Sequence, residues 1–139
     1  MKKRIQWISV MCLLVVTTFF LFGRTSPTDV VETTIEKIGY TSQEHLPLAK
    51  ADIDKITSFF TFTEDHHLGK PSIKIKEASP LKDQAQVIVT FEVIQYQPDN
   101  SIQNIYNGTL VFTLQKRSFF TWEIDHVDIL KEMGEHATE

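Results

Sequence analysis

The chain of 139 residues is 42% hydrophobic and 23% charged, a balance that suits one folded domain with a modest core and leaves no room for a second domain. Four of its 14 basic residues lie in the first 24 positions, so the remainder holds ten basic against 18 acidic residues. This acidic excess argues against nucleic-acid binding, which requires a basic patch. Cys12 is the single cysteine, which excludes an intrachain disulfide and a cysteine metal site.

The N-terminus predicts a membrane segment. Residues 1–4 are a basic head, and residues 5–24 are mostly apolar. A helix of about 19 residues spans roughly 28 Å, close to the hydrocarbon thickness of a bilayer. This apolar length favours an uncleaved signal anchor over a cleaved signal peptide, which would release a secreted domain. Because basic residues stay inside, residues 1–4 are expected in the cytoplasm and residues 25–139 form the extracytoplasmic domain of a single-pass protein of the cell membrane.

Two helices are expected to begin the domain. Ser26 is suited to an N-cap, Pro27 to the first helical position and Asp29 to the acid of a capping box. An apolar stripe at helical spacing follows, and Gly39 is expected to end the helix. A shorter helix is predicted over residues 51–60. Its expected buried side chains are Ile53, Ile56, Phe59 and Phe60, with Asp52, Asp54 and Lys55 facing solvent, and residues 61–70 are expected to form a loop.

The rest of the chain predicts four strands. A short edge strand is expected over residues 71–78, with Lys74 and Lys76 facing outward and discouraging further strand pairing. Alternating apolar residues then predict an antiparallel meander over residues 84–96, 105–116 and 119–130. Polar turns are expected at residues 97–101 and 116–118, and the polar tail from residue 131 is expected to fray.

Two irregularities predict that the sheet is curved. In the last strand, Trp122 and Ile124 have one parity and Val127 and Ile129 the other, so a β-bulge near Asp125 is needed to keep one apolar face. Gly108, in the middle of a strand, is a second candidate for a bend. The predicted architecture is α+β: an N-terminal membrane-anchor helix, then one or two helices packed on a curved four-stranded antiparallel sheet.

This order of elements, with a last strand reading Trp122-x-Ile124-Asp125-x-Val127, resembles the nuclear transport factor 2-like (cystatin-like) superfamily, in its bacterial, extracytoplasmic, membrane-anchored form. The resemblance covers about residues 28–130. It implies a cone-shaped domain. Membrane-anchored members of this kind include scaffold components of type IV secretion and conjugation machines, whereas others bind small molecules, and some are isomerases or dehydratases with an Asp or an Asp–His pair in the cone.

The residues themselves favour a non-catalytic cone. Its expected lining consists of Val89, Phe91, Leu110, Phe112, Trp122 and Ile124, none of which transfers protons. Asp125 and His126 resemble an acid–base pair, but as neighbours in a strand they are expected to point apart. The run Glu64-Asp65-His66-His67 contains metal-ligand types, yet adjacent loop residues seldom bind one ion, so a solvated acidic turn is favoured and neither a metal nor a cofactor is expected.

Three functions of different class follow. The favoured one is a non-catalytic interaction module at a membrane, an accessory of an envelope, secretion or conjugation assembly that contacts a protein partner or itself through its sheet face or edge. Exposed tyrosines such as Tyr40, Tyr96 and Tyr106 could serve that contact. The alternatives are a cone that binds a small apolar ligand and an enzyme of the isomerase or dehydratase type.

Overall fold

A computed structural model describes residues 11–13, 15, 17, 25–40, 46–118 and 121–135. The domain consists of α1 (Pro27–Tyr40), α2 (Lys50–Asp65), β1 (Ser72–Pro80), β2 (Gln84–Tyr96), β3 (Ile102–Lys116) and β4 (Trp122–Glu135). The strands form one antiparallel sheet in the order β1-β2-β3-β4, with both helices against one face. The predicted α+β class with a four-stranded antiparallel sheet is therefore confirmed.

The basic head, residues 1–4, lies outside the described residues, and so does most of the apolar segment, residues 5–24. The described positions 11–13, 15 and 17 are helical and exposed. In the described part of the chain, no helix combines the length and the apolar character that crossing a membrane requires.

The start of α1 is fixed by a local pair of hydrogen bonds. The Ser26 amide donates to Asp29 Oδ2 at 3.1 Å, and the Asp29 amide donates to Ser26 Oγ at 3.1 Å. This is the predicted capping box, with an Asp in place of the usual Glu or Gln. The side-chain hydrogen bond with Ser26, and then the backbone one, hold the pKa of Asp29 below its ordinary value.

The prediction that α1 ends at Gly39 is wrong, because the helix continues through Gly39 to Tyr40. Gly39 does not end the helix but allows a close contact between α1 and the side chain of Phe60. A Cβ at this position would lie 2.4 Å from Cζ of Phe60, so the Phe60 ring packs directly on the α1 backbone. The missing side chain allows α1 and α2 to approach each other at this point.

Helix α2 continues to Asp65, so the predicted loop at residues 61–65 is wrong. Thr63 is buried and extends the stripe that contains Ile56, Phe59 and Phe60, and its hydroxyl donates to the Phe60 carbonyl at 2.7 Å. That bond satisfies the polar group inside the core. Asp52, expected on the solvent side, is also buried and accepts a hydrogen bond from Lys55 at 3.0 Å.

The strands follow the predicted order, and β2 has the predicted bounds. Strand β3 starts earlier than expected, at Ile102, and β4 begins at Trp122, while residues 119–120 lie outside the described part. The expected fraying of the tail is wrong for Lys131–Glu135, which belong to β4 and pair with Tyr106–Thr109 of β3. Backbone pairing with β3 holds this end, although its side chains are mostly polar.

The predicted bulge is confirmed. Thr113 of β3 pairs with His126 and the next residue, Leu114, pairs with Ile124, so Asp125 is the extra residue of β4. The shift brings Val127 and Ile129 opposite Phe112 and Leu110, on the face that the helices cover. A second register shift spans Gly108, where a Cβ would lie 2.7 Å from Cε1 of Phe59 and 2.9 Å from the Met133 amide nitrogen.

Candidate functional site

The inner face of the sheet is filled with side chains. Val89, Phe91, Leu110 and Phe112, four of the six residues predicted to line a cone, are all 0% exposed. The Phe91 ring lies 5.0 Å from that of Phe59 and 5.6 Å from that of Phe60. Helix α2 therefore occupies the space above these four residues, and they form a packed core.

The other two predicted lining residues, Trp122 and Ile124, are half-buried and border a cavity of about 60 Å³. The cavity is closed by Val30, Thr34, Pro47, Leu48 and Glu123. Small-molecule pockets generally begin near 300 Å³, and a water occupies about 30 Å³. This cavity has the size of one or two water molecules, and the Thr34 hydroxyl in its wall already donates to the Val30 carbonyl at 2.7 Å.

Asp125 and His126 meet on the surface of the sheet. His126 Nδ1 lies 3.1 Å from Asp125 Oδ2, and His126 Nε2 lies 3.2 Å from Asp128 Oδ2. The prediction that the first two residues point apart is wrong, because the bulge breaks the alternation of side chains at Asp125. Their side chains are 44% and 48% exposed and lie outside the filled inner face. The pair can orient an imidazole, but neither residue lines any of the cavities that the described residues form around α1, α2 and β4.

The four residues Glu64-Asp65-His66-His67 belong to two different parts of the structure, the end of α2 and the turn that follows it. Glu64 and Asp65 are the last two residues of α2. The His66 ring stacks on the Phe62 ring with centroids 4.1 Å apart, and His66 Nδ1 lies 2.9 Å from the Phe62 carbonyl oxygen. His67 has a φ of 53°, in the left-handed region that follows many helices. Among the residues that the structure describes, no three His, Cys, Asp or Glu side chains are grouped so that they could hold a metal ion.

The outer face of the sheet, opposite the helices, carries an exposed apolar cluster at the end of the β2–β3 hairpin. Ile94 pairs with Ile105, and Tyr96 pairs with Ile102. Ile94, Tyr96 and Ile102 are 37%, 57% and 55% exposed, and Ile105 is half-buried. These four residues are called the hairpin patch. Exposed apolar clusters of this kind mark interaction surfaces.

Both edges of the sheet oppose strand addition. On β1, Lys74 and Lys76 are exposed as predicted, and Lys74 forms an ion pair with Glu92 of β2 at 3.2 Å. On β4, the Lys55 ammonium donates to the Val127 carbonyl, and three register shifts interrupt the pairing with β3. Charged and bulged edges are poor templates for a further strand, so the faces of the domain are its better contact surfaces.

A groove runs between α2 and β4 on the helix side of the domain. It consists of a volume of about 240 Å³ between α2 and β4 and an adjoining volume of about 440 Å³ that lies open to solvent along α2 alone. The two volumes share Ser58 and Phe62. Its residues, together called the α2–β4 groove, are Asp54, Thr57, Ser58, Phe59, Thr61, Phe62, Asp65 and His66 of α2 and its C-cap, and Ile129, Glu132 and Met133 of β4. The groove was not predicted, because part of its lining comes from the last turn of α2 and the end of β4, which were expected to be a loop and a frayed tail.

Comparisons with known proteins give this chain no relatives: no family model, curated protein or solved structure matches it. Its function must therefore be argued from the surfaces described above.

Proposed function

We propose that this chain is a non-catalytic interaction module, held at the outer face of a membrane by residues 5–24 and contacting a protein partner through the hairpin patch. It serves as an accessory subunit of an envelope assembly such as a secretion or conjugation machine. The proposal includes membership of the nuclear transport factor 2-like superfamily, to which the element order and the last strand are similar. The observation that carries it is an exposed apolar patch on a sheet face that no described helix covers.

The packed inner face supports a role without catalysis. An enzyme of the cone type needs ionisable groups held together by apolar walls. Here the apolar walls enclose Val89, Phe91, Leu110 and Phe112, while Asp125 and His126 lie on the open surface. The same packing leaves no volume for an apolar ligand above these four residues, which favours the interaction module over the binding cone.

The direction of the chain supports a protein partner over the membrane itself. The first turns of α1 border the same cavity as Trp122, so α1 starts near the end of the sheet where β4 begins and β2 starts. Strand β2 has 13 residues and spans roughly 40 Å at about 3.3 Å per residue. The hairpin patch therefore lies at the opposite end of β2 from the start of α1, to which the proposed anchor is joined, and this favours a protein partner over the membrane.

The test is a pull-down of the full chain from membranes with a mild detergent. Ile102→Lys places a charge in the hairpin patch, and Gln103→Lys adds a positive charge at the exposed neighbouring residue as a matched control. We expect the membrane proteins that copurify with the original chain to be lost with Ile102→Lys and retained with Gln103→Lys. A chain that remains alone at all concentrations, or that keeps the same partners with Ile102→Lys, would contradict the proposal.

The anchor is tested separately by mass spectrometry of the chain extracted from membranes. An intact N-terminus that includes residues 1–24 is expected. A mature chain that begins near residue 25 and is found in the soluble fraction would replace the anchor with a cleaved signal peptide.

A further inference from the structure

We propose that the α2–β4 groove binds an amphipathic helix of a partner protein that is rich in Lys and Arg. The groove and the hairpin patch share no residue, so binding at the groove does not depend on a partner at the hairpin patch.

The floor of the groove supplies apolar contacts. Phe62 is half-buried, its ring lies 5.8 Å from that of Tyr106, and Ile129 across the groove is 37% exposed. Phe59 and Met133 complete the floor. An apolar stripe between a helix and a strand is the surface on which an amphipathic helix lays residues i, i+3, i+4 and i+7.

The rim of the groove sets the charge of the ligand. Asp54 and Asp65 line the open volume along α2, and Glu132 of β4 lines the volume between α2 and β4. No lysine or arginine is found among the described residues that line either volume, and the nearby Lys55 is held by Asp52 and the Val127 carbonyl. An acidic rim attracts a cationic ligand and repels acidic helices and anionic bilayers.

The length of the groove sets the length of the ligand. Asp54 and Asp65 are separated by about three turns of α2, which correspond to roughly 16 Å. A helix of about 11 residues lying along α2 would place basic side chains near both carboxylates while its apolar side rests on Phe62 and Ile129. The groove thus selects a short cationic helix with one apolar face.

The probe for the test is a fluorescein-labelled 14-residue peptide with Leu at the i, i+3, i+4 and i+7 positions and Lys elsewhere. A second peptide replaces each Lys with Glu. Binding to the full chain in nanodiscs of zwitterionic lipid is measured by fluorescence anisotropy, with empty nanodiscs as the blank. We expect the Leu/Lys peptide to bind, the Leu/Glu peptide to show no binding, and salt to weaken the interaction.

Ser58→Arg fills the position that both volumes share, and Ser72→Arg adds the same charge at an exposed position outside the groove. We expect at least a tenfold loss of affinity with the first variant and little change with the second. If Ser58→Arg fails to fold, a second pair of variants repeats the comparison by reversing a charge. Asp65→Lys changes a carboxylate of the groove, and Asp83→Lys is the control at an exposed carboxylate outside it. Equal binding of both peptides, no binding of the Leu/Lys peptide, or equal losses in the paired variants would overturn the proposal. So would self-association that Ser58→Arg abolishes, because it would assign the groove to a second copy.

Discussion

Replacing Gly39 with Ala sets two effects of known size against each other. In the interior of a helix, Ala is favoured over Gly by about 1 kcal/mol, and at Gly39, the next-to-last residue of α1, this value is an upper limit. Helix propensity alone therefore predicts a more stable protein. The structure predicts the reverse, because the new Cβ would lie 2.4 Å from Cζ and 2.6 Å from Cε1 of Phe60. Whether the ring can move away decides the sign.

The Phe60 ring has little freedom to move. It is 8% exposed and lies between two other rings, with centroids 5.8 Å from Tyr40 and 5.6 Å from Phe91. Overpacking a core in this way costs about 1–3 kcal/mol, which outweighs the gain in propensity. We expect Gly39→Ala to lower the free energy of unfolding by up to about 2 kcal/mol, equivalent to several degrees in Tm.

The assay is thermal unfolding of the full chain in one detergent, followed by near-ultraviolet circular dichroism. Gly69→Ala is the control, since a Cβ there meets no atom within 4 Å and we expect an unchanged or higher Tm. In the double variant Gly39→Ala/Phe60→Leu, the smaller side chain should relieve the clash, so the combined loss should be smaller than the sum of the single losses. A Tm for Gly39→Ala at or above that of the original chain would refute the close contact between α1 and α2.

Three further changes test other parts of the fold by the same unfolding assay. Gly108→Ala should cost more than Gly39→Ala, at least about 2–3 kcal/mol, because its Cβ would also meet the Met133 backbone, whereas Gly134→Ala has open space and should be neutral. Asp52→Ala should cost about 1–3 kcal/mol because it removes the buried carboxylate that pairs with Lys55 and leaves that ammonium only the Val127 carbonyl, while the exposed Asp54→Ala should stay within about 0.5 kcal/mol. Asp29→Ala should be less stable than the original chain at neutral pH. That difference should shrink as the pH falls below 3.8, the ordinary pKa of this carboxyl, because a lowered pKa in the folded state contributes stability only while the group is ionised. A difference that stays constant down to pH 2 would contradict the capping box.

Features encoded by neighbouring residues were predictable from the sequence. The capping box depends on Ser26 and Asp29 alone, and the strand alternation of β2 is carried by its own residues. The bulge at Asp125 was predictable because the apolar residues of the last strand change from even positions, up to Ile124, to odd positions, from Val127 onward. In each case the signal and the structure that it specifies lie within a few residues of each other.

Features that depend on a distant partner were not predictable. The last turn of α2 looks like a loop in the sequence, although its Phe62 packs against Tyr106 of β3, and the polar end of β4 is a strand because β3 pairs with it. Asp52 is buried because Lys55 bridges it to the Val127 carbonyl, a contact between α2 and the sheet. The groove was not predicted for the same reason, since Phe62 and Asp65 of its α2 side and Glu132 and Met133 of its β4 side come from these two segments.

Two adjacent phenylalanines, Phe59 and Phe60, fill the space between α2 and the sheet, and for this reason we assign the proposed function to surfaces of the domain and not to its interior. Phe59 packs on the backbone at Gly108 of the sheet, and Phe60 packs on the backbone at Gly39 of α1. Each contact requires a missing side chain, so the two glycines fix how deeply α2 lies against both of its neighbours. At that depth the two rings contact Phe91 and occupy the space that a ligand-binding cone would keep open. Because an added Cβ at either glycine would overlap one of these rings, the same two close contacts that hold α2 in place also keep the inner face of the sheet filled.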